Sequence, residues 1–112
     1  MSPRGSGRYR TPIEIRKAVE TTDDLGVVTQ TWDTAASLVC KDRADFMEQS
    51  GREFFAAQAV HSEMTDMLAI RYRSGITPTM RVYYGSRVLD ILAVVDTEER
   101  HRELILHCRE VR

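Results

Sequence analysis

Apolar and polar residues alternate along most of this chain with a period of two, the repeat that strands produce and helices do not. The C-terminal half shows it best, with strands predicted at Met64–Arg73, Met80–Tyr84, Val88–Val95 and Glu103–Val111. In the first, Leu68, Ile70 and Tyr72 share one face, opposite Ala69, Arg71 and Arg73. Met80, Val82 and Tyr84 oppose Arg81 and Tyr83, and Leu104, Leu106 and Cys108 oppose Glu103, His107 and Arg109. Val88–Val95 is apolar on both faces except at Asp90, which predicts a central strand. Gly85-Ser86 is a two-residue link of the kind that makes a type I′ or II′ hairpin. A meander this regular predicts a small β-barrel or a curled antiparallel sheet.

The N-terminal half continues the pattern. Pro12 opens a strand, Ile13–Thr21, with Ile13, Ile15 and Val19 on one face. Asp23-Asp24-Leu25-Gly26 is a turn, and Val27–Thr34 returns as the partner, with Val28 and Trp32 on one face. Leu38–Phe46 follows, with Leu38, Cys40, Ala44 and Phe46 in register and Asp42 interrupting them. One piece breaks the period. Ser50-Gly51-Arg52-Glu53 has capping-box spacing and leads into Phe54–Val60, a helix of about two turns that needs docking to persist. Phe54 and Phe55 do not fit together on one narrow stripe. Either both fill an open end of the barrel, or one faces the core and the other a second subunit. The predicted fold is mainly β, one barrel domain over residues 11–112, with a short helix or loop inserted at about residues 45–61.

With 112 residues and 42% hydrophobic content, the chain builds one core. A net charge of −1 gives no reason to expect a nucleic-acid binder, but the charge is unevenly spread. Residues 1–17 carry Arg4, Arg8, Arg10, Arg16 and Lys17 against Glu14 alone, a net of +4. Residues 18–40 carry Glu20, Asp23, Asp24 and Asp33 and no basic group, a net of −4. Such a division can orient subunits or attract a charged partner, or it can simply be solvated surface. Residues 1–10, rich in Gly, Ser and Arg, read as a flexible basic arm. No apolar run follows the basic start, so no signal segment is expected, and nothing approaches the ~20 apolar residues of a membrane span. Cys40 and Cys108 lie in strand contexts without zinc spacing, so buried free thiols are expected.

Candidate chemistry is sparse. His61, His101 and His107 form no Ser-His-Asp or Cys-His arrangement by spacing, and the glycines are single, without a phosphate loop. No catalytic residue, metal site or cofactor is assigned. The charged loop Asp96–Arg102 reads as a solvated hairpin tip. Arg71, Arg73, Arg81 and Arg87, interleaved with Tyr72, Tyr83 and Tyr84, are compatible with a single-strand nucleic-acid-binding barrel, although only Tyr83 shares the arginine face of its strand.

The order of several short motifs resembles a known family. Ile70-Arg71-Tyr72-Arg73 precedes Gly75-Ile76-Thr77-Pro78-Thr79-Met80-Arg81-Val82; after the Gly85 turn come Leu89-Asp90-Ile91, Val94-Val95-Asp96 and Leu104–Glu110. With the Trp32 hairpin and Gly51-Arg52-Glu53, these resemble the phage head–tail joining proteins, also called head-closure or stopper proteins, over residues 10–111.

The resemblance implies a non-catalytic neck component of a phage-like particle, made in the bacterial cytoplasm. Its copies would form a homo-oligomeric ring of about twelve below the portal and adaptor and above the tail proteins. Double-stranded DNA would pass through without sequence-specific binding, and no membrane is involved. An inserted loop can close the channel in this family. Mapped here, the inter-subunit or gate segment holds Phe46, Met47, Glu48, Gln49, Arg52, Phe54 and Phe55, and Arg4, Arg8 and Arg10 would contact a neighbouring ring. Weak lateral contacts gain from a preformed ring, so the isolated chain is expected to be a monomer or weak assembler. The competing readings are a tail terminator and the nucleic-acid-binding barrel.

Overall fold

The computed structural model describes residues 9–47, 51–96 and 101–111. Strands β1 (Thr11–Arg16), β4 (Leu38–Phe46), β5 (Asp66–Arg71), β6 (Arg81–Tyr84), β7 (Arg87–Asp96) and β8 (Glu103–Glu110) form a closed barrel in the order β1-β4-β5-β8-β7-β6. Every pairing is antiparallel, and β6 closes the barrel onto β1 through Ile15 and Val82. The expected meander is therefore only partial. β6, β7 and β8 follow one another, whereas β5 pairs with β4 and β8, in Greek-key fashion. With no edge in the barrel, β7 is no more central than its neighbours.

Alternation fills the barrel as the sequence predicts. Ile13, Ile15, Cys40, Ala44, Leu68, Ile70, Val82, Leu89, Ile91, Leu104, Leu106 and Cys108 form one buried cluster. Both cysteines are free and buried there, and burial pushes both thiols above their ordinary pKa. Gly85 has φ +57 while Ser86 has ordinary φ, so the β6–β7 link is the type II′ form.

Three expectations need correction. The strand expected over Ile13–Thr21 is two: β1 ends at Arg16, and β2 (Val19–Thr22) leaves the barrel to pair only with β3 (Val28–Thr31). The break is tertiary in origin. A register shift falls at Ile15/Arg16, the Lys17 amide donates to the Ser37 carbonyl at 2.8 Å, and Ser37 is buried at the foot of the ribbon. Val19 therefore does not join Ile13 and Ile15 in the core, and Val28 is exposed. Leu38, expected inside, is also exposed, at the strand end opposite Arg16. The helix α1 (Arg52–Val60) starts after Gly51, whose backbone occupies the N-cap position, so the predicted serine cap is not its cap; Ser50 lies outside the described residues.

A second apolar layer lies outside the barrel wall. Tyr9, Phe54, Ala57, Met64, Met67, Ala69 and Ile105 form a separate buried cluster, with Met47 and Leu92 packed against it. Here α1 covers the outer face of β5 and β8, so β5 is buried on both faces through Ile70. The Tyr9 hydroxyl donates to Glu103 Oε2 at 2.6 Å, and the Arg71 guanidinium sits 5.4 Å from the Tyr9 ring centre. The chain is thus anchored from Tyr9, inside the segment expected to be a free arm.

Candidate functional site

The segment singled out from the sequence is the outer helix and its approach. Phe46 ends β4, half-buried, with its ring 4.9 Å from that of Tyr84 at an angle of 42°. Met47 donates its amide to the Met67 carbonyl at 2.8 Å and packs on the outer cluster. Glu48 and Gln49 lie outside the described residues, as do Arg4 and Arg8. Arg52 and Arg10 are exposed.

The two phenylalanines divide. Phe54 is 4% exposed in the outer cluster; Phe55 is 59% exposed. They do not fill a barrel end together, because α1 lies across the wall and successive residues on a helix point about 100° apart. Phe55 is not alone. Ala56 and Ala59 are exposed beside it, and Val60 is 78% exposed. These positions are three and four residues apart and so form one continuous stripe. The helix consequently has two apolar faces, one turned to its own barrel and one to solvent. Such a face on the outside of a folded chain is a candidate for association.

The arginine face has a different character. Arg81 Nε donates to Asp90 Oδ1 at 2.7 Å, and Arg109 reaches Asp90 Oδ2 at 3.1 Å from the opposite neighbouring strand. Asp90, which interrupts an otherwise apolar strand, is thus the centre of a three-strand ion ladder. Arg87 bridges buried Asp66 at 2.7 Å and Glu110 at 2.8 Å, and the bonds to Glu110 and Asp66 raise its pKa. Arg73 lies 3.6 Å from Asp42. The tyrosines each have a partner within the fold while keeping part of the ring open: Tyr83 lies under Arg16 at 4.5 Å, and Tyr72 packs edge-on to His101 at 4.6 Å. The last pair sits at the charged loop, where His101 and Asp96 approach to 2.7 Å and residues 97–100 are outside the described set.

His107 and His61 meet edge-on at 5.7 Å on the outer wall. Burial, and then His61, hold the His107 pKa below its ordinary value. Among the described residues no cluster of His, Cys, Asp or Glu is disposed to hold a metal ion, and no helix is long and apolar enough to cross a membrane.

The barrel with its outer helix can be set beside known proteins. The family model for phage head completion proteins matches residues 5–111. The chain belongs to that family. As a phage head completion protein it has a structural part in the head and neck of a virion. Its fold matches the solution structure of protein SF1141 from Shigella flexneri 2a, with TM-score 0.70 and 27% identity over 95% of this chain and 96% of that one. A chain in the virion of a native gene transfer agent particle shares the fold at TM-score 0.62 and 18% identity, over 93% and 96% of the two chains. No curated protein gives a significant match.

The sequence located the α1 segment through its break in period two and its capping-box spacing, and flagged it by the crowding of Phe54 and Phe55. It gave no sign of the outer cluster's other members. Ala69 and Ile105 fall on strand positions that ordinarily face water, and only the helix above them makes those positions dry.

Proposed function

We propose that this head completion protein forms a head-closure ring, joining the portal–adaptor complex of a phage-type head to the tail and bounding or closing the DNA channel. The observation that carries this reading is the second apolar face of α1. The closed barrel has no free edge for strand addition, so association through its wall, with a neighbouring subunit or an adjoining ring, uses side-chain surfaces. The stripe Phe55, Ala56, Ala59 and Val60 is such a surface, and it lies within the segment that family resemblance assigns to subunit contacts or the gate. The use of the same fold in a gene transfer agent virion supports the assignment. Ion pairing of Arg73, Arg81 and Arg87 with carboxylates argues against a barrel wall that tracks phosphates. The role is architectural and requires no bond-making step.

Mass photometry of the purified chain, alone and with the portal–adaptor complex from the same gene cluster, tests this. A small species alone, with a gain of about a dozen 12.8 kDa chains on the complex, is the expected result. A folded chain that adds nothing to the complex would overturn it and favour a tail-terminator position.

A further inference from the structure

The β2–β3 ribbon pairs with no barrel strand, and two-stranded hairpins are marginal by themselves in water. This one is nevertheless well built. At its tip, Asp23 Oδ1 accepts hydrogen bonds from the amides of Leu25 and Val27, both at 2.9 Å, and Gly26 supplies φ +82. At its foot, Arg16 donates to the Trp32 carbonyl at 3.1 Å, Ser37 Oγ to the Thr31 carbonyl at 3.3 Å, and the Arg81 guanidinium lies 4.3 Å from the Trp32 ring centre. The ribbon therefore has a fixed root and a shaped end, yet covers nothing. Every residue from Thr21 to Gln30 is exposed, with Leu25 at 89%, Val28 at 57% and Val27 at 54%. Its charge is uniformly negative, since residues 18–40 hold Glu20, Asp23, Asp24 and Asp33 and no Lys or Arg.

The barrel carries a matching surface. On the wall away from α1, between β1, β4 and β6, lies an open groove of about 520 Å³, lined by Pro12, Ile13, Glu14, Lys41, Arg43 and Tyr83 among others. Its lining mixes the apolar and aromatic surface of Pro12 and Tyr83 with charge that is already paired: Glu14 with Arg16 at 2.7 Å and Asp42 with Arg73 at 3.6 Å. Lys41 and Arg43 on its rim are exposed and form no ion pair among the described residues. The ribbon does not lie in its own groove, as the exposure of every residue from Thr21 to Gln30 shows.

We infer that the ribbon of one copy seats in this groove on the next copy. Leu25, Val27 and Val28 lie against Pro12 and Tyr83, and Glu20 and Asp24 face Lys41 and Arg43. Ribbon and groove are different patches, so the contact is heterologous and repeats around a closed ring. The inference rests on the ring reading above, but assigns the lateral contact to a surface other than α1.

The test uses particles assembled with a Leu25→Cys, Pro12→Cys chain and a short bismaleimide; the native cysteines are buried. A ladder of bands at multiples of the 12.8 kDa chain is expected, absent from either single variant. Adding Glu20→Lys with Asp24→Lys should reduce the ladder at least tenfold, and Lys41→Glu with Arg43→Glu should then restore it. The variant present in particles at normal copy number yet staying monomeric, or cross-linking to a different protein, would overturn the ribbon contact and leave the ring reading intact. Absence of the unsubstituted chain from particles would instead remove the ring reading, and this inference with it.

Discussion

The barrel wall and the β2–β3 ribbon are made of similar residues and have opposite fates. Leu106 is fully buried, in a strand with a hydrogen-bonded neighbour on each side. Leu25 stands almost wholly in water at the end of a ribbon with two free edges. The contrast separates two tasks within one short chain. Folding is carried by surfaces that the chain covers itself, and in the proposed ring association falls to surfaces that it leaves bare.

Substitution should separate these tasks. Leu106→Ala should destabilise the monomer most, by about 4 kcal/mol in urea unfolding, since it empties a closed core. Leu25→Ala should change stability by no more than about 0.5 kcal/mol. Equal losses would erase the distinction. The two phenylalanines repeat the comparison within one helix. Phe54→Ala should cost about 3 kcal/mol, whereas Phe55→Ala should leave the monomer's unfolding midpoint unchanged and reduce its recruitment to the portal–adaptor complex.

Polar groups on the wall give smaller effects. Arg87→Met should cost about 1–2 kcal/mol, because it leaves buried Asp66 without its cation while the partly exposed arginine limits the loss. The smallest effect is that of His107. Its folded pKa lies below the ordinary value, so on acidification the unfolded chain takes up the proton first. Its contribution is therefore complete above the ordinary histidine pKa and declines as pH falls toward the folded value. The melting temperature should drop as pH is lowered from about 7.5 toward 5, and His107→Gln should flatten that drop. An unchanged slope would place the acid sensitivity elsewhere.

How much of this could be read in the sequence depends on how many layers cover a strand. β4 runs over Leu38–Phe46 as alternation predicts, and the Gly85-Ser86 link is where the hairpin turns. Such positions have one dry side and one wet side, so period two reports them directly. Ala69 and Ile105 face outward and are dry only because α1 lies over them, a fact that no local pattern encodes. The end of β1 was hidden for a related reason. Residues 17–22 continue a strand-like composition, and the chain leaves the barrel because of its contacts with Trp32 and Ser37, far along the chain. Of the candidate site, the crowded Phe54-Phe55 pair was legible as a conflict, and the structure resolves it by burying Phe54 and exposing Phe55. The ribbon's proposed role was legible only as an imbalance of charge.

The two sulfhydryls have a further consequence. Cys108 is sealed from solvent and Cys40 nearly so, and burial keeps both in the protonated form that reacts slowly with oxidants. The fold thus has no disulfide for a reductant to open and no well-exposed thiol for an oxidant to attack. A virion part assembled in one redox environment and released into another would pass between them with its covalent structure unchanged.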